Sequence, residues 1–333
     1  QDSFDVRWIR ANSVGEALIA PLARKLMESH GLRVLGGTLA TGLNLTPDGS
    51  AVASVATRAV ETGEEGLIEA VDAVVLAVGA RGMGALMASS PACAAAVPEL
   101  VEAGTLGAID VVSVRLWLDA YVDVADPANV FSRFEALRGA GGTFFMLDQL
   151  QRVEEASLWG GEQPQGSVVA SDFYNASAIA TLSDGEIVAL LMRELLPVAN
   201  PAFHAATVLE AEVRRYPASV SLFAPGSFSQ RPPLETALPS IVCAGDWVRM
   251  GSREHGAKGL CQERAYVCGL EAANSLIRRR VVTPPTASAR EHPVIPIRAD
   301  EPQVLIGRAV NALVMNQAEA LGLRWPWLPR NDC

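Results

Sequence analysis

Apolar and polar positions alternate along residues 109–120, which predicts a strand with one buried and one exposed face. Residues 72–78 are instead apolar at every position after the first, which is typical of a strand buried on both faces. Residues 14–30 carry apolar side chains at helical spacing, and Gly31 is suited to cap that helix. The pattern therefore switches between the period of strands and that of helices, which favours a mixed α/β chain.

The same pattern predicts the remaining elements. Further strands are predicted at residues 32–35, 39–45, 51–57, 66–71, 143–147, 167–173, 208–213 continuing towards 221, and 241–244. Further helices are predicted from residue 83, near 92–103, at 187–196 after a capping motif at Ser183, at 262–280 and at 303–321. The middle of the chain therefore predicts an antiparallel sheet with helices, which is a different domain from the first hundred residues.

This organisation sets the predicted domain limits. Residues 1–105 and 240–282 are predicted to form one α/β domain, which the chain leaves and then re-enters. Residues 106–239 form the inserted antiparallel-sheet domain, and residues 283–333 form a C-terminal tail with an amphipathic helix.

Composition narrows the classes of function. Hydrophobic residues make up 50% of the chain, which favours a large core or an apolar ligand cavity. No apolar run approaches the roughly 18 residues of a membrane span. With 37 acidic and 27 basic residues, the net charge of −10 disfavours nucleic acid as a partner.

Cysteine and histidine spacing argues against metal and disulfide sites. The 5 cysteines include no CxxC pair, which favours a reducing compartment over a disulfide framework or a zinc site. The 4 histidines are scattered without ligand spacing. No metal site is predicted.

Residues 240–277 carry the most distinctive pattern of the chain. A short apolar strand runs into Gly245, Asp246 and Trp247, and a Gly-rich loop then leads to a helix that begins near Gln262. A carboxylate at a strand end can accept hydrogen bonds from sugar or ribityl hydroxyls, and the helix start offers N–H groups and partial positive charge. From the residues alone, Asp246 is equally well explained as a local cap of the turn.

This segment also carries a family resemblance. AGDW and CQERAYVCGLEAANSLI resemble the C-terminal flavin-binding segment of the FAD-dependent amine oxidase and carotenoid desaturase superfamily. RWIRANSVGEALIAPLARKLMESHGLRVLGGTLATGLNL and VDAVVLAVGARGM resemble its nucleotide-binding domain. IDVVSVRLWLD, GTFFMLDQLQ, SVVASDFYNA and YPASVSLFAPGS resemble the substrate domain of its zeta-carotene-desaturase-like branch. Together these motifs cover roughly residues 5–277.

The resemblance implies an incomplete FAD- or NAD(P)-binding Rossmann-like domain with an inserted antiparallel-sheet substrate domain. It implies FAD as the cofactor, held by four groups of residues. Three of them are Ala40 near the adenine through its backbone, Ala77, Val78 and Gly79 on the adenosine side, and Gly245 and Asp246 at the ribityl-phosphate region, followed by Trp247 as a further contact.

The start of the following helix completes the implied site. Glu263, Arg264, Ala265 and Tyr266 would lie beneath the pyrimidine edge of the flavin. Many relatives have glycine where Arg264 stands, so a close approach of the backbone is less expected here.

One family motif does not match. Relatives begin with GxGxxGL after a first strand, whereas the nearest pattern here, at residues 79–84, has a different spacing and a later position. The chain thus resembles the C-terminal two-thirds of such an enzyme. Weak or absent FAD binding by these residues alone is expected.

The resemblance implies an FAD-dependent oxidoreductase that desaturates an apolar, carotenoid-like polyene by hydride transfer to flavin N5. No residue is identified as the catalytic base. One alternative is a flavin amine oxidase, in which Trp247 is the only candidate for an aromatic cage. The other alternative is a truncated, non-catalytic fragment.

A lipid-soluble substrate further implies peripheral membrane contact, in a plastid or in the cytoplasm. Trp325 and Trp327 could touch a membrane interface or pack on the protein itself. Two further groups of residues each have two possible roles. Glu254 and His255 could form an acid/base pair or belong to a solvated loop. A substrate channel or the core could hold Phe144, Phe145, Phe173 and Tyr174.

Overall fold

The computed structural model describes residues 14–132, 134–150, 155–254, 261–282, 291–295 and 300–322. The strands are β1 Thr38–Leu45, β2 Val52–Ala59, β3 Glu65–Ile68, β4 Val74–Leu76, β5 Ala108–Leu118, β6 Ala128–Phe131, β7 Gly141–Met146, β8 Val168–Tyr174, β9 Val208–Ser221 and β10 Ile241–Cys243. The α-helices are α1 Ala20–His30, α2 Ala80–Ala88, α3 Pro91–Ala96, α4 Pro98–Ala103, α5 Leu147–Leu150, α6 Glu155–Leu158, α7 Ser177–Ala180, α8 Asp184–Leu190, α9 Leu196–Ala199, α10 Gln262–Arg278 and α11 Pro302–Ala320.

The chain divides into two compact units. Unit 1 comprises Gln1–Gly36 and Ile109–Val220, and unit 2 comprises Gly37–Ala108 and Ser221–Cys333. The domain limits inferred from the sequence stay predictions, because compactness alone does not say which segments hold a cofactor.

Unit 1 is built on a five-stranded sheet with strand order β6-β7-β8-β5-β9. β8 runs antiparallel to both β5 and β7, with Val112 opposite Phe173 and Phe144 opposite Ser171. The alternation predicted for residues 109–120 is confirmed, since Val112 and Leu116 are fully buried on one face of β5. The sheet confirms the predicted mixed class with an antiparallel sheet in the middle of the chain.

The predicted capping motif at Ser183 is also confirmed. The Ser183 hydroxyl accepts a hydrogen bond from the Glu186 N–H at 3.3 Å, and the Glu186 carboxylate accepts one from the Ser183 N–H at 2.8 Å. This reciprocal capping satisfies backbone donors that the first turn of α8 would otherwise leave free.

Unit 2 contains an antiparallel sheet of order β1-β2-β3 and a parallel pair, β10 and β4. The buried face of the pair packs with α2 and α10 in the core of the unit. The prediction that residues 72–78 are buried on both faces is wrong, because Val75 is 45% exposed while Leu76 is 5% exposed. The core buries Leu76 and leaves its neighbour Val75 half-exposed.

Two other predictions are corrected. Residues 32–35 form no strand in the structure, where Leu32, Val34 and Leu35 are exposed. A strand needs a neighbouring strand for its hydrogen bonds, and an apolar run alone does not supply one. The predicted helix near residues 92–103 is two helices, because Pro98 has no N–H and disfavours helical geometry at Val97.

Two terminal helices have apolar faces that the described residues leave exposed. α1 and α11 lie at the predicted positions, and Gly31 caps α1 with a positive φ of 71°. Leu22 on α1 and Leu313 on α11 are 41% and 61% exposed. Within the described ranges, no helix has both the length and the apolarity required to cross a bilayer.

The contact between α2 and α4 depends on two glycines. A Cβ on Gly104 would lie 2.6 Å from the Cα of Gly84, which is backbone and cannot rotate away. We therefore expect Gly104→Ala to lower the free energy of unfolding by about 1–3 kcal/mol, measured by chemical denaturation. Gly185→Ala is the control, since open space surrounds Gly185 in α8 and alanine favours helix there. Equal stability of the Gly104→Ala protein and the unmodified protein would contradict this contact.

Candidate cofactor site

Two parallel strands of unit 2 end side by side. β4 pairs with β10 in parallel, with Val74 opposite Ile241 and Leu76 opposite Cys243. The Ala244 N–H then donates to the Leu76 carbonyl at 3.0 Å, which extends the pairing beyond the strands. In open α/β sheets, ligands bind beyond the carboxyl ends of the strands, so a ligand site is expected at this edge.

Small, accessible residues follow β4. Ala77 and Gly79 are exposed and Val78 is half-buried. Gly79 is the N-cap of α2 in an extended conformation, and no heavy atom lies within 4 Å of the position a Cβ would take there. The first N–H groups of a helix have no intrahelical partners, so this end of α2 offers donors and partial positive charge.

The turn after β10 requires a glycine. Gly245 has a φ of 134°, and a Cβ there would lie 3.1 Å from Cδ1 of Trp247. The backbone conformation and the indole therefore both disfavour a side chain at this position. This constraint fixes where the next residue, Asp246, leaves the strand.

Asp246 is a half-buried carboxylate at the strand end. Burial raises its pKa, and hydrogen bonds from the backbone N–H groups of Asp246 and Trp247, together with the charges of Arg264 and Arg231, only partly oppose that effect. The described residues form no ion pair with it. Asp246 therefore keeps acceptor capacity for a ligand with hydroxyl groups.

Arg264 connects the first turn of α10 to the turn after β10. Its side chain is 4% exposed, and Nε donates to the Asp246 carbonyl at 2.7 Å while Nη2 donates to the Val248 carbonyl at 2.8 Å. Nη1 forms an ion pair with Glu254. The arginine thus fills the space between the helix start and the turn.

Arg231 approaches the same turn and was not among the candidates from the sequence. Its Nε donates to the Trp247 carbonyl at 2.6 Å and its Nη2 to the Val248 carbonyl at 3.2 Å. The guanidinium also lies over the Phe223 ring, 4.6 Å from the centroid. No local pattern marks Arg231, because it reaches the turn through tertiary packing across 16 residues.

Comparison with known proteins decides the family. Residues 3–277 match the family model of flavin containing amine oxidoreductases. The chain belongs to the flavin containing amine oxidoreductase family. Family membership confirms the superfamily resemblance and the flavin cofactor.

One solved structure similar to the chain is that of a candidate protoporphyrinogen oxidase from Exiguobacterium sp. 255-15. The sequence identity is 12% and the TM-score is 0.37, over 73% of this chain and 46% of that chain. The chain therefore spans about half the length of that protein. No curated protein matches the sequence.

The residues at the two strand ends fit the FAD of this family. The Asp246 carboxylate has the chemistry to accept hydrogen bonds from ribityl hydroxyls, and the open space at Gly79 admits a close ligand. The helix starts of α2 and α10 add N–H donors. Asp246 and Gly79 would thus hold the cofactor, which supplies the redox chemistry when bound.

The other predicted contact residues lie in two places, at the start of α10 and on β1. Glu263 and Tyr266 are exposed and Ala265 is half-buried in the first turns of α10, next to Arg264. Ala40 is exposed on β1, where it pairs with Thr57 in the three-stranded sheet, and it is not part of the group at the strand ends.

Trp247 is placed differently from the other candidates. Its side chain is 3% exposed and packs in the core of unit 2. Its backbone carbonyl accepts the hydrogen bond from Arg231, while the indole is unavailable to a ligand unless the core opens. An aromatic cage built on Trp247 has no support in this arrangement.

The remaining candidates are resolved in part. Glu254 pairs with Arg264 and accepts a hydrogen bond from the Met250 N–H at 3.2 Å, so its role is structural. Phe144 and Phe173 lie in the core of unit 1, and Tyr174 is 40% exposed on the other face of the sheet. His255, Trp325 and Trp327 lie outside the described residues. Among the residues that are described, no group of three or more potential ligands could hold a metal ion.

Proposed function

We propose that the protein is an FAD-dependent oxidoreductase that introduces a double bond into an apolar, carotenoid-like polyene. The geometry that carries this proposal is the half-buried carboxylate of Asp246, which forms no ion pair with the described residues and lies where β4 and β10 end side by side. A carboxylate in that place suits a cofactor with hydroxyl groups. The polyene is supported by the four substrate-domain motifs that resemble zeta-carotene-like desaturases.

Desaturation requires the loss of two hydrogens from neighbouring carbons. FAD, when bound, would supply the acceptor for the hydrogen that leaves as a hydride, and the other hydrogen would leave as a proton to solvent or to a base that we do not assign. The residues of this chain contribute by binding and orienting: Asp246 holds the cofactor, and Gly245 sets the direction of that carboxylate.

The burial of Trp247 removes one argument for an amine as the substrate. An amine oxidase needs aromatic faces beside the flavin, and Trp247 was the one candidate for such a face. Its indole packs in the core of unit 2 instead.

We also propose peripheral contact with a membrane in a reducing compartment, in a plastid or in the cytoplasm. An apolar polyene resides in a bilayer, and the exposed apolar side chains of α11, such as Ile306 and Val310, would suit an interface. Cys93, Cys243 and Cys268 are free and buried, which suits a reducing compartment.

Anaerobic reduction of the flavin tests the substrate class. We expect a polyene with saturated bonds next to its conjugated segment to bleach the visible absorbance of FAD bound to the full protein. A primary amine should leave that absorbance unchanged. A fully saturated hydrocarbon of equal length is the matched control.

Two other results would support the alternative functions. Bleaching by the amine but not by the polyene would support an amine oxidase instead. Retention of FAD without bleaching by either compound would contradict both and support a non-catalytic protein.

A further inference from the structure

Two arginines converge on three consecutive backbone carbonyls after β10. Arg264 donates to the carbonyls of Asp246 and Val248, and Arg231 donates to those of Trp247 and Val248. The Val248 carbonyl thus accepts from both guanidinium groups. The turn from Gly245 to Val248 is therefore fixed by side chains that come from two distant segments.

The position of Arg264 is electrostatically unfavourable by itself. It is a cation in the first turn of α10, where the helix dipole favours negative charge, and it is almost fully buried. The neighbouring Arg231 adds a second positive charge, and burial followed by the charge of Arg264 lowers the pKa of Arg231. Hydrogen bonds to carbonyls and the ion pair with Glu254 offset this cost.

Neither arginine neutralises Asp246. Arg264 donates hydrogen bonds to two carbonyl oxygens and forms an ion pair with Glu254, and Arg231 donates to two carbonyl oxygens. The carboxylate is thus held next to two cations without an ion pair to either. Desolvation is the largest influence on its pKa and raises it, while backbone N–H groups of Asp246 and Trp247 and the two arginine charges oppose that effect.

We infer that Arg264 is a positioning residue for the cofactor, which holds the turn so that the Asp246 carboxylate stays oriented for the hydroxyls of FAD without an ion pair to the arginine. This inference rests on the proposed FAD site. Arg264 acts through Asp246 and does not itself need to touch FAD.

A double-mutant cycle on FAD affinity tests this coupling. FAD is titrated into the unmodified full protein and into the Arg264→Gln, Asp246→Asn and double variants. Binding is followed by flavin fluorescence. We expect Arg264→Gln alone to weaken binding about tenfold or more, as for the loss of charge-assisted hydrogen bonds. In the Asp246→Asn background, the same change should have little further effect, because the residue through which Arg264 acts is already altered.

Arg278→Gln is the matched control. Arg278 lies at the other end of α10, is also partly buried, and pairs with Glu235 and Glu291. Its replacement should lower stability with unchanged FAD affinity. If Arg264→Gln does not fold, Arg264→Lys takes its place, because lysine keeps the charge beside Glu254 but cannot hold two carbonyls at once.

The outcomes separate the inference from the proposed function. Additive effects of the two substitutions, or an Arg264 variant with unchanged affinity while Asp246→Asn binds weakly, would overturn the inference alone. Unchanged affinity in Asp246→Asn would instead contradict the FAD site itself.

Discussion

The Asp246→Asn protein is expected to lose FAD affinity while its FAD-free form becomes more stable. Burial raises the pKa of the Asp246 carboxyl in the folded protein above its ordinary value. The folded state therefore binds more protons than the unfolded state between those two pKa values, and stability falls as the pH rises through that window. At neutral pH the charge opposes folding. Asparagine removes the charge and keeps nearly the same shape.

The same substitution should weaken FAD binding by roughly ten- to a hundredfold, since hydrogen bonds to a charged acceptor are lost. The unmodified protein should also lose affinity as the pH is lowered through the raised pKa, whereas Asp246→Asn should show a flat profile. Thermal unfolding without FAD and titration with FAD at several pH values measure both effects.

Asp119→Asn is the control for this argument. Hydrogen bonds from Thr207 lower the pKa of Asp119, so its charge favours folding and its removal should decrease stability. The two aspartates should thus respond in opposite directions. A less stable Asp246→Asn protein with full FAD occupancy would contradict the assignment of Asp246 to the cofactor.

Local patterns in the sequence predicted the features that depend on residues close to each other in the chain. The capping box at Ser183 and the helix that begins at Gln262 depend on residues within a few positions of each other. The alternation along β5 predicted which face is buried, because side chains of a strand point in turn to opposite faces. The position of Gly245 and Asp246 between the end of a strand and the start of a helix was likewise predicted from the sequence.

Three other features depend on tertiary packing and could not be predicted from the sequence. The indole of Trp247 lies in the core because the glycine turn directs it inwards, and no periodicity near residue 247 reveals that direction. Arg231 reaches the turn from a separate segment, so its role depends on a fold that its own neighbours do not encode. Val75 belongs to a continuously apolar run and is nevertheless half-exposed, because burial depends on what covers each face.

Gly79 and Gly245 offer the sharpest test of where FAD lies, because the protein itself requires only one of them to be glycine. Gly245→Ala forces an alanine to a φ of 134° and its Cβ against Trp247. We expect the free energy of unfolding to fall by about 1–3 kcal/mol from backbone strain, with more lost if the indole moves. FAD retention should fall with it, since the turn also directs Asp246.

Gly79→Ala should behave differently. Gly79 has a φ of −75°, which alanine adopts without strain, and open space surrounds the position of a Cβ. Nothing in the described residues therefore requires glycine there, and stability should stay within about 0.5 kcal/mol of the unmodified protein. If the adenosine side of FAD lies against this backbone, the added methyl group should nevertheless weaken FAD binding.

Denaturation without cofactor and titration with FAD, applied to both variants, separate the two effects. A stable Gly79→Ala protein with reduced affinity would mean that a ligand, and not the fold, takes the space at the end of β4. A stable Gly79→Ala protein with unchanged affinity would remove Ala77, Val78 and Gly79 from the site. The flavin side would then rest on the turn after β10 alone, where Gly245 and Asp246 cannot be replaced without consequence.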